Sequence, residues 1–190
     1  MKNELKKLHL GCGKDYREGF VNVDIDKESK ADIIINLEKK LPYKDDRFDY
    51  IYSRHVIEHL HPEKIKFVMD EIYRICKNNA IVEIHVPHFS CGKTYQSYNH
   101  LTPMSYFTFD CGEFSGFKIL KRRLNFMRSE LPYTGNNKLN KIAKLINPIF
   151  SFVPNKIPFI YERFLCWIYP VEEVSFKMAV VKSKITDIFF

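Results

Sequence analysis

The spacing that most restricts how this chain can fold lies near its start. The run "KLHLGC" alternates apolar and polar residues as a strand does, then enters a glycine turn, Gly11-Cys12-Gly13. A second strand-like run, "FVNVD", ends at Asp24, and 24 − 13 leaves 11 positions from Gly13 to Asp24. That is too few for an ordinary crossover helix followed by a full strand. The first two strands are therefore expected to be joined by a shortened connection.

The runs that follow keep to a strand-and-crossover pattern. "DIIIN" reads as a third strand, apolar throughout, as expected of one covered on both faces. "FDYIYS" reads as a fourth. From Pro62 to Lys77 the residues Ile65, Val68, Met69, Ile72 and Ile75 recur at helical spacing behind a proline suited to a helix start. "AIVEIHVP" is a fifth strand, stopped by Pro87. Strands joined by crossovers make an α/β, doubly wound sheet the economical fold. Beyond Pro87 the texture turns polar and loop-like, with Thr102-Pro103 read as a cap and first helical residue. "FKILKRRLNF" and "VSFKMAVVK" read as two more strands. Between them, at about 135–170, lies an insertion expected to be helical and broken by prolines.

A chain of 190 residues with 45% hydrophobic and 28% charged residues can bury a core, so disorder is not expected. One domain spanning 1–190 is the expectation. No apolar run of about 18 residues argues for a membrane span, and the start lacks the apolar stretch of a secretory signal. The five cysteines, Cys12, Cys76, Cys91, Cys111 and Cys166, are odd in number and contain no C-x-x-C pair. That disfavours a disulfide framework and a cysteine-based zinc site, and reduced thiols fit a cytoplasmic protein. The net charge of +7 points to an anionic partner. Between Lys118 and Lys144 the residues Lys118, Lys121, Arg122, Arg123, Arg128, Lys138, Lys141 and Lys144 face only Glu130. A solvated face is the plain reading of that cluster, with nucleic acid, anionic lipid head groups or a phosphorylated substrate as others.

The glycine turn lies where a parallel sheet binds ligands, and Asp24 at the tip of strand two is placed to accept from ribose hydroxyls. Asp26 is a weaker alternative. Gly11 begins no complete G-x-G-x-x-G, because Tyr16 stands at the sixth position. A dinucleotide is disfavoured, which leaves a smaller adenosyl ligand whose other end is an amino acid.

These residues resemble the class I S-adenosylmethionine-dependent methyltransferases over roughly 7–87. The likeness is carried by "LHLGCG", "NVDID", "LPYKDDRFDYIYSRHVIEHL" and "EIYRICKNNAIVEIHVP". It is closest to a small subgroup with a shortened first crossover, often associated with surface-glycan biosynthesis, which "YERFLCWIYPVEEVSFKMAVVK" also resembles. The resemblance implies a Rossmann-like, mostly parallel seven-stranded sheet with an antiparallel last strand and the helical insertion before it. It divides the chain into a cofactor-binding half, 1–87, and an acceptor-side half, 88–190. It implies S-adenosylmethionine as cofactor, with S-adenosylhomocysteine as product. Gly11, Cys12 and Gly13 would lie against the methionine part and Asp24 would hold the ribose. Ile25 would pack on the adenine and Asn36 and Leu37 flank it, while Ser53, Arg54 and His55 would line the floor near the sulfonium. Three positions depart from the family: His9 for an acid, Asn36 for an aspartate, and "KNNA" for a proline-glycine turn.

One motif competes. His55-Val-Ile-Glu58-His59 matches H-x-x-E-H, a zinc-peptidase pattern that needs both histidines on one helix face. Here the match starts at the end of strand four with Pro62 three residues beyond it, so no metal is expected. A hydroxyl acceptor would benefit from a general base, for which His88, His55 and His100 are the candidates. The acceptor is expected to be a small molecule or glycan-like. RNA methylation is the second reading, and a non-catalytic cofactor-binding scaffold or peripheral membrane protein the third. The oligomeric state stays open.

Overall fold

A computed structural model describes residues 5–128 and 137–182. Seven strands form one sheet: β1 Lys7–Leu10, β2 Val21–Asp24, β3 Ile33–Ile34, β4 Phe48–Arg54, β5 Cys76–Pro87, β6 Phe117–Asn125 and β7 Glu173–Val180. Their spatial order is β3-β2-β1-β4-β5-β7-β6. The order reverses between β1 and β4, so the sheet is doubly wound about that point. Strands β1 to β5 pair in parallel, and β7 runs antiparallel to both β5 and β6. This is the α/β sheet expected from the sequence, with the last strand reversed.

The register sorts side chains onto two faces. Leu8, Leu10, Val23, Ile51, Val82, Ile84, Val174, Phe176 and Met178 are all buried. They line one face, by the pairings of Leu8 with Ile51, Ile51 with Val82, and Val82 with Met178. Helix α1, Pro62–Ile75, packs there: it starts on Pro62 and turns Ile65, Val68, Met69, Ile72 and Ile75 inward. The chain then enters β5 without a separate turn. A register shift and Asn79 at φ 64 absorb the "KNNA" segment.

The other face carries His9, Asn22, Tyr52, Glu83, His85 and Glu173. No helix lies between β1 and β2; residues 11–20 cover this side with turns. Arg17 stacks over Tyr52 at 3.7 Å, and Phe20 meets His9 edge-on.

Two expectations are corrected. The third strand has two residues, Ile33 and Ile34, which are 42% and 47% exposed at the sheet edge and not covered on both faces. Pro103 starts no helix: Thr102 donates its hydroxyl to the Leu60 carbonyl, and Leu101 and Thr102 give their N–H groups to the carbonyl of Glu58. That docking fixes the segment without a helix.

A short helix α2, Lys93–Gln96, follows β5, and the insertion contains α3 Asn137–Phe150, α4 Phe152–Lys156 and a π-helical turn Tyr161–Leu165. Among the described residues no helix is long and apolar enough to cross a membrane.

Candidate functional site

The glycine turn ends β1 with Gly11 at φ 64 and Gly13 at φ 50. A Cβ on Gly11 would stand 2.2 Å from Val56 Cγ2, so both the backbone conformation and the close approach of the chain after β4 call for glycine. Asp24 ties the turn to β2, accepting from the Gly13 N–H at 2.6 Å and the Asp26 N–H at 2.9 Å. Each of its oxygens keeps a lone pair for a further donor.

A cleft of about 520 Å³ opens over these strand tips. Gly11, Gly13, Asp24 and Ile25 form one side of it, and Asn36, Leu37, His59 and Asn99 another. Ile25 is 64% exposed, an apolar surface standing at the opening. A second cavity of about 220 Å³ adjoins the first. Its lining includes Cys12, Asp15, Lys93, His100, Arg128 and Glu172. Gly11, Arg54 and His55 line both. Burial, with Asp24 close by, pushes the Cys12 thiol up to about 11, so it stays protonated at neutral pH. Glu172 is held below the usual carboxylate range. Burial acts against this but is outweighed by Lys93 at 2.7 Å and Arg128 at 2.8 Å.

Of the ten expected cofactor residues, nine line one cavity or the other. Ser53 does not. It pairs with Leu10 and Ile84, so strand alternation turns it to the helix-covered face, where it is 1% exposed. His88 is likewise corrected as a candidate base: it is fully buried, with Nδ1 on Ser90 Oγ at 2.8 Å and Nε2 on Glu162 Oε1 at 3.0 Å. Both ring nitrogens are committed and it lines neither cavity. His100 does reach the second cavity, and its Nδ1 has no hydrogen-bond partner among the described residues.

His55 has φ 54, ends β4 and precedes a 3-10 turn, Ile57–His59. It therefore shares no helix face with His59, and the zinc-peptidase geometry is not formed. Its Nδ1 lies 3.3 Å from Glu58 Oε1 and its Nε2 3.4 Å from Glu173 Oε2. Burial would lower its pKa, but the neighbouring carboxylates of Glu173 and Glu58 outweigh burial and raise it. Glu58, His59 and His100 do offer ligand atoms within 4.8 Å of one another. Glu58 already faces His55, however, and His59 Nδ1 donates to the Asn99 carbonyl.

Sequence reasoning missed the network beneath the floor. Glu173, fully buried, accepts from Arg54 Nη2 at 3.0 Å and Asn125 Nδ2 at 3.2 Å, and lies 3.4 Å from His85 Nδ1. His85 Nε2 reaches Glu83 at 3.0 Å, and Tyr50 donates to Glu83. Burial would raise the Glu173 pKa, yet His55, His85 and Arg54 hold it well below the usual range. Alternation in "EEVSFKM" was the available signal: it places Glu173 opposite in phase to the apolar Val174, Phe176 and Met178.

Residues 8–84 match the family model described as a methyltransferase domain. No curated protein sequence matches the chain. Among solved structures, a SAM-dependent methyltransferase from Archaeoglobus fulgidus is similar at TM-score 0.64 and 18% identity, over 94% of this chain and 87% of that one. Phosphoethanolamine N-methyltransferase 2 of Haemonchus contortus, solved with S-adenosyl-L-methionine, is similar at 0.58 and 16%, over 96% and 50%. The 4+2 cyclase SpnF is similar at 0.57 and 11%, over 94% and 75%. At these identities the likenesses show a shared fold, and SpnF shows that the fold also serves an enzyme named for a different reaction. The sequence match is what adds chemistry: residues 8–84 are similar to a methyltransferase domain, and the cofactor this match supports is S-adenosylmethionine.

Proposed function

We propose that the protein transfers a methyl group from S-adenosylmethionine to a small, polar, glycan-like acceptor. The observation that carries this reading is the pair of cavities meeting at Gly11, Arg54 and His55. A cofactor in the larger one and an acceptor in the smaller would approach each other at that junction. The cofactor supplies an activated methyl on a sulfonium, so alignment of the acceptor accounts for much of the rate. Asp24 would accept from the ribose hydroxyls, Ile25 would pack on the adenine, and Asn36 and Leu37 would flank it. The smaller cavity holds Asp15, Lys93, Arg128 and Glu172, which suits an acceptor rich in hydroxyl or charged groups. His100 is our candidate to take the acceptor's proton, because it lines the smaller cavity and its Nδ1 is unengaged among the described residues.

RNA as acceptor has less support. Arg122 is paired with Asp110 at 2.8 Å and Arg128 with Glu172, so two members of the basic run are already satisfied. Lys138 and Glu130 lie outside the side chains described. We place the protein in the cytoplasm; all five cysteines are free thiols, as reduced surroundings would leave them.

Calorimetry with S-adenosylmethionine and S-adenosylhomocysteine tests the reading. Both should bind, and Asp24→Ala should weaken both by about 10- to 100-fold, the loss expected for hydrogen bonds to a carboxylate. Absence of binding by the wild type defeats the proposal. Unchanged binding by Asp24→Ala removes the ribose assignment.

A further inference from the structure

The insertion is turned inside out relative to a water-facing helical segment. Along α3 and α4 the polar Asn147, Ser151 and Asn155, spaced four apart, turn inward beside the buried Ala143 and Pro154. Asn147 accepts from the Met127 N–H and donates to the Met127 carbonyl; Ser151 accepts from Phe126 N–H; Asn155 accepts from Leu124 N–H. These side chains fasten the insertion to the end of β6 by its main chain. Many of the large apolar residues point outward, while Tyr161 and Cys166 reach the core. Leu145, Ile149, Phe152, Phe159, Phe164 and Trp167 are between 63% and 73% exposed, and Ile168 is 82% exposed. A surface this apolar on a chain with an ample core elsewhere calls for a partner.

Charge identifies the partner. Lys141, Lys144, Lys156 and Arg163 stand exposed among these apolar side chains. From 137 to 170 the sequence has one acid, Glu162, and its carboxylate is turned inward to His88 Nε2 and the Tyr106 N–H. Two copies packed about a two-fold axis would set this basic surface against itself. An anionic bilayer instead accepts apolar side chains between its head groups and neutralises the lysines. We infer that the insertion lies in the surface of an anionic lipid bilayer, without crossing it. The helices are short and interrupted by Pro148, Pro154 and Pro158, as suits a segment lying in the plane.

The same insertion adjoins the acceptor side. Trp167 meets Phe89 edge-on at 5.6 Å, and the cavity residues Arg128 and Glu172 flank the insertion in the chain. Bilayer docking would hold that cavity next to the lipid surface. The docking itself does not depend on the methyl-transfer reading, so failure of either leaves the other standing.

Co-sedimentation of the full chain with phosphatidylcholine vesicles, with and without roughly one third phosphatidylglycerol, tests this. Binding should require the anionic lipid and weaken as salt rises. Leu145→Asp/Ile149→Asp should lower partitioning at least about tenfold, since it puts charge where apolar contact is needed. Lys141→Glu/Lys144→Glu should lower binding to the anionic vesicles alone. Both double variants should keep the wild-type melting temperature and S-adenosylmethionine affinity, which separates lost docking from lost folding. No sedimentation with anionic vesicles overturns the inference. So does salt-insensitive binding to neutral ones, or a dimer in light scattering that Leu145→Asp/Ile149→Asp dissociates without any vesicle binding by the wild type.

Discussion

The two faces of the central sheet are held by different physics. On one, Leu8, Ile51, Val82 and Phe176 meet the apolar stripe of α1, and stability comes from area removed from water. On the other, His9, Asn22, Tyr52, His85 and Glu173 are buried as well, yet every one of them is polar or has a polar tip. The short link from Gly13 to Asp24 leaves no helix to cover that side. Turns cover it instead, and the side chains satisfy one another: His9 Nδ1 with Asn22 Oδ1 at 3.2 Å, Arg54 with Glu173, His85 with Glu83. The apolar face tolerates changes of shape in small steps, because each contact contributes a little. The polar face depends on complete pairing, because a buried charge left alone is costly.

Removing the central carboxylate is the strongest way to break this comparison. Glu173→Ala would leave Arg54, His55 and His85 facing one another without their common anion. We expect a loss of about 4 kcal/mol in urea unfolding, within the range seen when one partner of a buried ion pair is deleted. A loss under about 1 kcal/mol would mean that the network contributes position and little stability.

The next effect is a pH dependence confined to the polar face. His85 is pushed up to about 9: burial lowers it, and the bonds to Glu173 and Glu83 outweigh burial. Its unfolded value is the ordinary one, 6.5. A group whose folded pKa is raised stabilises fully below its unfolded pKa and loses that stabilisation as pH rises through the folded one. The contribution of His85 should therefore be complete below pH 6.5 and gone above about 9, a swing of about 3 kcal/mol at most. Unfolding free energies of wild type and His85→Gln, measured from pH 6 to 10, should converge over that window. Parallel curves would show that His85 does not carry the charge.

What was readable in the sequence follows the same division. All seven strands were visible, because alternation and apolar runs are local patterns, and α1 was visible from its stripe. The position of Gly11 and Asp24 at strand tips was legible because strand ends and a short crossover are also matters of spacing. The network around Glu173 was not, since its members come from β4, β5, β6 and β7, and only the register of four strands brings them together. His88 was misread for a related reason: position after a strand tip does not say which way a loop side chain turns. The inward turn of Glu162, 74 residues later, decides it. The length of β3 could not be read either, because an edge strand ends where its single neighbour stops pairing.

Ser53 gives the smallest effect and the sharpest discrimination between the faces. It follows Tyr52 and precedes Arg54, both on the polar side, yet it shares the phase of Ile51 and pairs with Ile84. Its hydroxyl has no hydrogen-bond partner among the described residues, so in that apolar setting the oxygen is a cost. Ser53→Ala should change stability by less than about 1 kcal/mol, toward greater stability if at all, and leave S-adenosylmethionine affinity untouched. If the serine instead reached the cofactor cleft, the same substitution would weaken binding while stability held. Calorimetry and urea unfolding on this one variant therefore read out which face of β4 the residue occupies.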